Sequence, residues 1–122
     1  MLVDDIYTIK DKRITPAGFD VDVSFDETNA IYKAHFPGNP ITPGVCLIEV
    51  LKQLIESQFT VKLFMKTVRN IKFLQVVIPD SNKTVTYKIS SNINEDRTIT
   101  ATVTIENNEV CFAKISTIYT IL

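Results

Sequence analysis

One histidine and one glutamate flank a segment whose residue types could do chemistry. The single histidine, His35, stands at the head of residues 35–44, which contain three of the five prolines and two of the three glycines. Prolines and glycines at that density hold the backbone on a fixed irregular path. Glu49 follows fourteen residues after His35, in a stretch that is otherwise mostly apolar. Because a fixed loop can aim a side chain at one place, this segment is our candidate for a reactive site.

The stretch after this loop predicts a long helix that begins near Pro43 or Gly44, since proline is acceptable in a first helical turn. Residues 45–60 contain no glycine or proline and form a run too long for an ordinary strand. Apolar side chains occupy most of the predicted circumference. They are Val45, Cys46, Leu47, Ile48, Val50, Leu51, Leu54, Ile55 and Phe59. A helix that is apolar nearly all round is a buried one, so we expect a central helix wrapped by a sheet.

The predicted helix start, the histidine and the glutamate could together move a proton next to a carbonyl group. The backbone N–H groups of Gly44 and Val45 would lie at the positive end of the helix, where they can stabilise an oxyanion or an enolate. A carboxyl group buried among apolar groups can stay protonated and donate a proton, which we expect of Glu49. Gln53 lies one turn further on the same face. His35 is a natural base near neutral pH. This set suits the removal or addition of water.

Each residue alone has a plainer interpretation. A lone histidine beside an aromatic residue and a proline is more often a loop residue, and a glutamate in an apolar helix is more often paired or at the helix edge. Gln53 alone carries no information. The tyrosines are expected to be packing residues: Tyr7, Tyr32, Tyr87 and Tyr119. The basic residues Lys62, Lys66, Arg69 and Lys72 indicate a solvated face, with a patch for an acidic partner as the alternative.

The rest of the chain predicts an antiparallel sheet. Residues 18–26 and 98–105 alternate apolar and polar side chains with period two. Further strands are predicted at residues 6–14, 67–78, 83–90 and 110–122, with a short one at 31–32. The turns predicted at 79–82, 91–96 and 106–109 are short, which implies antiparallel neighbours. The expected fold class is α+β, with one curved sheet around one helix in a single domain of residues 1–122.

Charge and cysteine spacing exclude several function classes. The net charge of −1 and the pI of about 5.8 argue against nucleic acid as the main ligand. Cys46 and Cys111 lack metal-ligand spacing, so we expect two reduced thiols and no metal site. The N-terminus resembles no signal peptide, and no apolar run approaches the ~20 residues that span a bilayer. We therefore expect a cytoplasmic protein that does not bind membranes.

Residues 35–45 read His-Phe-Pro-Gly-Asn-Pro-Ile-Thr-Pro-Gly-Val, and Glu49 and Gln53 follow at intervals of four. This pattern resembles the signature of the FabZ-type 3-hydroxyacyl-(acyl-carrier-protein) dehydratases, which is His-Phe-Pro-Gly-x-Pro-x-x-Pro-Gly-Val with the same glutamate and glutamine. The resemblance implies a hotdog fold, in which a curved antiparallel sheet wraps a central helix. It also implies dimers, often three together, with each active site pairing the histidine of one protomer with the acid of the other.

The resemblance also assigns roles by matched position. His35 would abstract the C2 proton of a 3-hydroxyacyl thioester, and Glu49 would protonate or orient the departing hydroxyl. The N–H group of Gly44, beside Val45, would hold the thioester carbonyl, and Gln53 would support Glu49. Phe36, Ile48 and Phe73 are candidates for lining the acyl tunnel. The acyl chain would arrive on the phosphopantetheine of acyl carrier protein, so no cofactor of the protein's own is expected.

Two departures from the family pattern indicate a divergent member. Leu74 and Gln75 stand where the family has a Lys-Arg pair that would help to dock the acidic carrier, and the segment before the motif is short. These departures suggest a specialised lipid or polyketide-like pathway. Two other functions remain open. One is a hotdog thioesterase that delivers water to the carbonyl. The other is a non-catalytic hotdog subunit that pairs with an active paralogue.

Overall fold

The fold is a curved sheet with one long helix packed against it. The computed structural model describes residues 6–122. Two strands come first, β1 (Tyr7–Thr15) and β2 (Gly18–Phe25), and then two helices, α1 (Ile31–Ala34) and α2 (Gly44–Phe59). Four strands follow: β3 (Leu63–Phe73), β4 (Val85–Ile93), β5 (Thr98–Glu106) and β6 (Cys111–Ile121). They form one six-stranded antiparallel sheet in the order β1-β2-β4-β5-β6-β3.

The core lies between the sheet and one face of α2. The buried helix residues recur at helical spacing: Cys46, Leu47, Val50, Leu51, Leu54 and Ile55. In β2 the alternate residues Phe19, Val21 and Val23 are buried, as period-two patterning predicts. Ile99, Val103 and Ile105 of β5 join the same core. The predicted α+β class is confirmed.

The other face of α2 is more open than the sequence predicts. Val45 is 67% exposed, and Ile48 is only partly buried. The prediction of a helix buried nearly all round is wrong for a single chain, because the sheet covers one side of the helix. The apolar residues on the uncovered side remain accessible.

Two strand predictions are also wrong. Residues 31–32 belong to α1, and just before it Oδ1 of Asn29 accepts the N–H group of Ile31 at 3.0 Å in a turn of the kind that asparagine favours. The strand predicted at 67–78 starts and ends earlier, at Leu63–Phe73. Beyond Phe73 the chain leaves the sheet, and the Val77 carbonyl accepts the N–H group of Thr42 at 2.8 Å. A tertiary contact therefore overrides the β-branched run at 76–78.

Candidate functional site

His35 directly follows α1 and lies at the start of a loop that folds back on itself. The His35 carbonyl accepts the N–H group of Ile41 at 3.0 Å, and the Phe36 carbonyl accepts that of Asn39 at 2.9 Å. Between them Gly38 has φ of +73°, which glycine adopts without steric cost. The irregular path predicted from the prolines and glycines is confirmed, and it brings residue 41 back beside residue 35.

His35 shares a cavity with the start of α2. The cavity has a volume of about 480 Å³ and is lined by His35, Gly44 and Phe73. Its other lining residues are Ile41, Thr42, Pro43, Leu47, Leu74, Gln75, Val76 and Val77. We call this space the His35 cavity. Most of these side chains are apolar, so the cavity suits an acyl chain with one polar end.

The first turn of α2 forms part of the wall of the His35 cavity through Gly44 and Leu47. Pro43 precedes the helix, and no side chain caps the turn. The Pro43 carbonyl accepts the N–H groups of Cys46 and Leu47 at 3.0 and 3.2 Å. The N–H groups of Gly44 and Val45 come earlier and have no acceptor within the helix. Donors of this kind at a helix start can stabilise a carbonyl oxygen that becomes negative.

Glu49 and Gln53 lie elsewhere, on the open side of α2. They line a second cavity of about 980 Å³ together with Lys52, Glu56, Ser57, Thr60, Val61, Lys62, Leu63 and Leu122. We call it the Glu49 cavity. The Glu49 side chain is 22% exposed, and its carboxylate lies 3.5 Å from the ammonium group of Lys52. The expectation that Glu49 is buried among apolar groups is therefore wrong for a single chain.

Gln53 is held by a contact that the sequence did not predict. The hydroxyl group of Tyr7 donates to Oε1 of Gln53 at 2.9 Å. This bond ties β1 to α2 and places the amide on the wall that also carries Glu49. The shared face of Glu49 and Gln53 is thus observed, and direct support of Glu49 by Gln53 stays a prediction.

One chain does not bring His35 and Glu49 into the same cavity. Of the three predicted tunnel residues, Phe73 lines the His35 cavity. Phe36 instead stacks its exposed ring on that of His35, with centroids 4.4 Å apart and planes 23° apart. Ile48 packs against the core. The roles assigned to these residues from the resemblance stay predictions.

Sequence reasoning missed Tyr32 and Thr42. The hydroxyl groups of these residues form a hydrogen bond of 2.8 Å. Burial also raises the pKa of Tyr32 to about 12. The sequence offered no signal for this pair, because a lone tyrosine in a hydrophobic stretch indicates packing and a threonine between two prolines indicates a turn.

Across residues 6–122, no three His, Cys, Asp or Glu side chains cluster in a way that could hold a metal ion. No helix in that part of the chain has both the length and the apolar character needed to cross a membrane. Cys46 and Cys111 are free thiols, the first buried and the second half-buried.

The sequence matches known dehydratases. Residues 11–114 match the model of the ApeI-like family, which is a family of ApeI dehydratases. The 3-hydroxyacyl-(acyl-carrier-protein) dehydratase FabZ of Latilactobacillus sakei subsp. sakei is 31% identical over 104 residues, covering 77% of this chain and 71% of that protein. FabZ of Clostridium acetobutylicum is 38% identical over 64 residues, which are 47% of this chain and 44% of that protein. The chain therefore matches less than half the length of the clostridial relative.

Solved structures share the architecture. The dehydratase heterocomplex ApeI:P from Xenorhabdus doucetiae superposes with a TM-score of 0.68 at 15% identity, over 93% of this chain and 96% of that one. A hypothetical thioesterase with coenzyme A from Streptococcus pneumoniae gives a TM-score of 0.64 at 16% identity, over 95% and 85% of the two chains. At these identities the likeness shows the fold, and the predicted hotdog fold is confirmed. With the family model matched over residues 11–114, the chain belongs to the ApeI-like family of hotdog dehydratases.

Proposed function

We propose that this protein removes water from (3R)-3-hydroxyacyl thioesters on acyl carrier protein and produces trans-2-enoyl thioesters, in fatty-acid or related acyl-chain biosynthesis. One observation carries the proposal: His35 and the uncapped start of α2 line the same largely apolar cavity. Its volume of about 480 Å³ is typical of small-molecule sites. Membership of a dehydratase family supports this reaction class.

The residues suggest the following steps. The imidazole of His35 takes the C2 proton, and the electron pair moves into the thioester carbonyl to form an enolate. The N–H group of Gly44 stabilises the enolate oxygen. The enolate then collapses to the enoyl thioester while the bond between C3 and its oxygen breaks. The hydroxyl group takes up a proton and leaves as water. Either Glu49 donates this proton as a carboxylic acid, or the His35 imidazolium donates it while Glu49 orients the hydroxyl group.

The working unit in this proposal is a homodimer, because one chain holds His35 and Glu49 in separate cavities. A second copy can place its Glu49 cavity against the His35 cavity of the first. Two surfaces support this arrangement. The open face of α2 carries the exposed Val45, and β3 forms one outer edge of the sheet, where a second strand can pair with its backbone. Unpaired strand edges and exposed apolar side chains are typical of surfaces that a partner covers.

The main test is reversible hydration of an enoyl thioester by purified protein. The rate is followed by the ultraviolet absorbance of the enoyl thioester, and the product is identified by mass spectrometry. We expect His35→Ala and Glu49→Gln each to lower kcat by roughly 10²–10⁴-fold, the usual loss when general acid–base help is removed. Wild-type activity in His35→Ala would overturn the assignment.

Glu56→Gln is the matched control, because it makes the same substitution two turns along the same helix. The Glu56 carboxylate accepts the N–H group of Leu63 at 2.8 Å, and an amide oxygen can accept the same bond. We therefore expect this variant to keep its activity. Release of free acid and thiol in the assay would indicate a thioesterase instead. Inactivity that a hotdog paralogue restores would indicate a non-catalytic subunit.

A further inference from the structure

A buried hydrogen bond closes the loop that carries His35. Tyr32 lies three residues before His35, and Thr42 lies two residues before Gly44. Their hydroxyl oxygens are 2.8 Å apart, a normal length for a hydroxyl–hydroxyl bond, and each residue is 4% exposed. The bond therefore joins the approach to His35 with the approach to the start of α2.

Thr42 also ties this loop to another lining segment of the His35 cavity. Its N–H group donates to the carbonyl of Val77 at 2.8 Å, and the neighbouring Ile41 donates to the carbonyl of His35 at 3.0 Å. Three walls of the cavity thus meet at one residue: the His35 loop, the start of α2 and the segment at 74–77. A shift of Thr42 would move all three.

The bond between Tyr32 and Thr42 is suited to fixing a distance. Apolar contacts tolerate sliding, whereas a hydrogen bond has a preferred length and direction. In this buried position water cannot easily replace either partner, so the bond is stronger than it would be at the surface. Tyr32 does not line the His35 cavity, and the hydroxyl group of Thr42 is engaged with Tyr32.

We propose that Tyr32 and Thr42 are positioning residues, whose hydrogen bond sets the distance between the His35 imidazole and the N–H group of Gly44 and thereby sets the turnover rate. This inference rests on the proposed dehydratase function. Neither side chain takes part in proton transfer. Their effect is on geometry, and a misplacement of about 1 Å can cost about 10²-fold in rate.

The experiment compares Tyr32→Phe, Thr42→Val and the double variant. Each single variant leaves one buried hydroxyl without its partner, whereas the double variant removes both hydroxyls and with them that penalty. We expect the urea midpoint to fall in each single variant and to recover in the double variant. In all three variants we expect kcat to fall roughly 10- to 100-fold with little change in KM. The reason is that the distance between the His35 imidazole and the N–H group of Gly44 is no longer fixed.

Thr98→Val is the matched control. Like Thr42→Val, it removes a buried threonine hydroxyl, which here donates to the carboxylate of Asp96 at 2.5 Å between β4 and β5 and does not line the His35 cavity. We expect this variant to lose stability and keep kcat. Recovery of kcat together with stability in the double variant would show a merely structural bond and overturn the proposal. Unchanged kcat in Tyr32→Phe would overturn it as well.

Failure of the dehydratase assignment can be told apart from failure of this inference. If the wild-type protein has no hydratase activity, the proposed function falls, and amide hydrogen exchange then tests the bond itself. Amide exchange at Ile41 and Thr42 that is faster in the double variant than in Thr98→Val would support a loop held by Tyr32 and Thr42. Equal exchange in the two variants would overturn it.

Discussion

The ring of Phe73 occupies the space beside Gly44, so that a Cβ atom added to Gly44 would be 2.6 Å from Cζ of the ring. The ring is at the free end of its side chain, and Phe73 as a residue is 52% exposed, so the ring can swing aside. Gly44 therefore leaves room for the ring of Phe73 beside the uncapped N–H groups of the helix start. The missing side chain at Gly44 therefore shapes the cavity wall, whereas the helix itself does not need a glycine at this position.

From this contact we expect the Gly44→Ala variant to lose enzymatic activity without becoming less stable to urea. Alanine favours a helix over glycine by about 1 kcal/mol, but its methyl group would push the ring of Phe73 out of its place in the cavity wall. We expect kcat/KM for an enoyl thioester to fall at least about tenfold, while the urea midpoint is unchanged or higher. Adding Phe73→Leu should restore part of the rate. Full activity in Gly44→Ala would show that the reaction does not use the helix start.

The separation of His35 and Glu49 predicts complementation between two inactive variants. In a mixed dimer of His35→Ala and Glu49→Gln, one of the two shared sites regains both native residues. After full subunit exchange half of the dimers are mixed, so we expect up to about a quarter of the wild-type rate. The measurement is the hydration rate after the variants are unfolded together and refolded. Refolding each variant alone is the control, and no gain in the mixture would place both residues of a site in one chain.

If the substrate arrives on an acidic carrier protein, as proposed, the basic side chains on and beside β3 predict where that carrier docks. Lys62, Lys66, Arg69 and Lys72 are exposed, and no Asp or Glu occurs between Glu56 and Asp80. Leu74 and Gln75 supply no charge, so this strand is our candidate for the docking surface. We expect Lys66→Glu with Arg69→Glu to raise KM for a carrier-bound substrate several-fold, more strongly at low salt.

The same pair of substitutions should leave KM for a free pantetheine thioester unchanged, since that substrate has no carrier to dock. Lys10→Glu is the control, because Lys10 is exposed on β1 at the other edge of the sheet. Size-exclusion chromatography checks that the dimer persists. Equal losses with both substrates would place the effect in the catalytic site and exclude β3 as the docking surface.

Three buried tyrosines predict a loss of stability at alkaline pH. Burial raises the pKa of Tyr32 and that of Tyr119 from 10.0 to about 12, and it also raises the pKa of Tyr87 well above 10.0. Above pH 10 the unfolded chain ionises these groups before the folded protein does. The contribution of Tyr32 and Tyr119 to the free energy of unfolding is therefore complete below pH 10 and is lost as the pH rises through 12.

We expect urea midpoints to fall steeply across this alkaline range, and to fall less steeply in Tyr32→Phe/Thr42→Val, which has one buried phenol fewer. Tyr119→Phe should flatten the curve in the same way. The slope with pH is compared, not the absolute midpoint, because the substitutions also change packing. Parallel curves for wild type and variants would show that these phenols do not govern the alkaline loss.

The period-two patterns of residues 18–26 and 98–105 predicted β2 and β5 because alternation places one row of side chains in the core. The glycine-free run after Gly44 likewise predicted α2 within one residue at its end. Proline and glycine at 37–44 predicted the irregular loop, since they restrict φ and remove N–H donors. The residue types at His35, Gly44 and Glu49 were enough to suggest proton transfer beside a carbonyl. These are local properties, and local sequence encodes them.

Contacts between distant residues were decided by the tertiary structure alone. The end of β3 at Phe73 depends on where the Val77 carbonyl meets Thr42, which the strand propensity of 76–78 does not reveal. The open face of α2 appears because a single sheet covers only one side, although the composition of the helix indicates burial all round. The placing of His35 and Glu49 in separate cavities follows from the same geometry. Which side chains share a cavity depends on how helix and sheet pack, and periodicity along the chain carries no information on that.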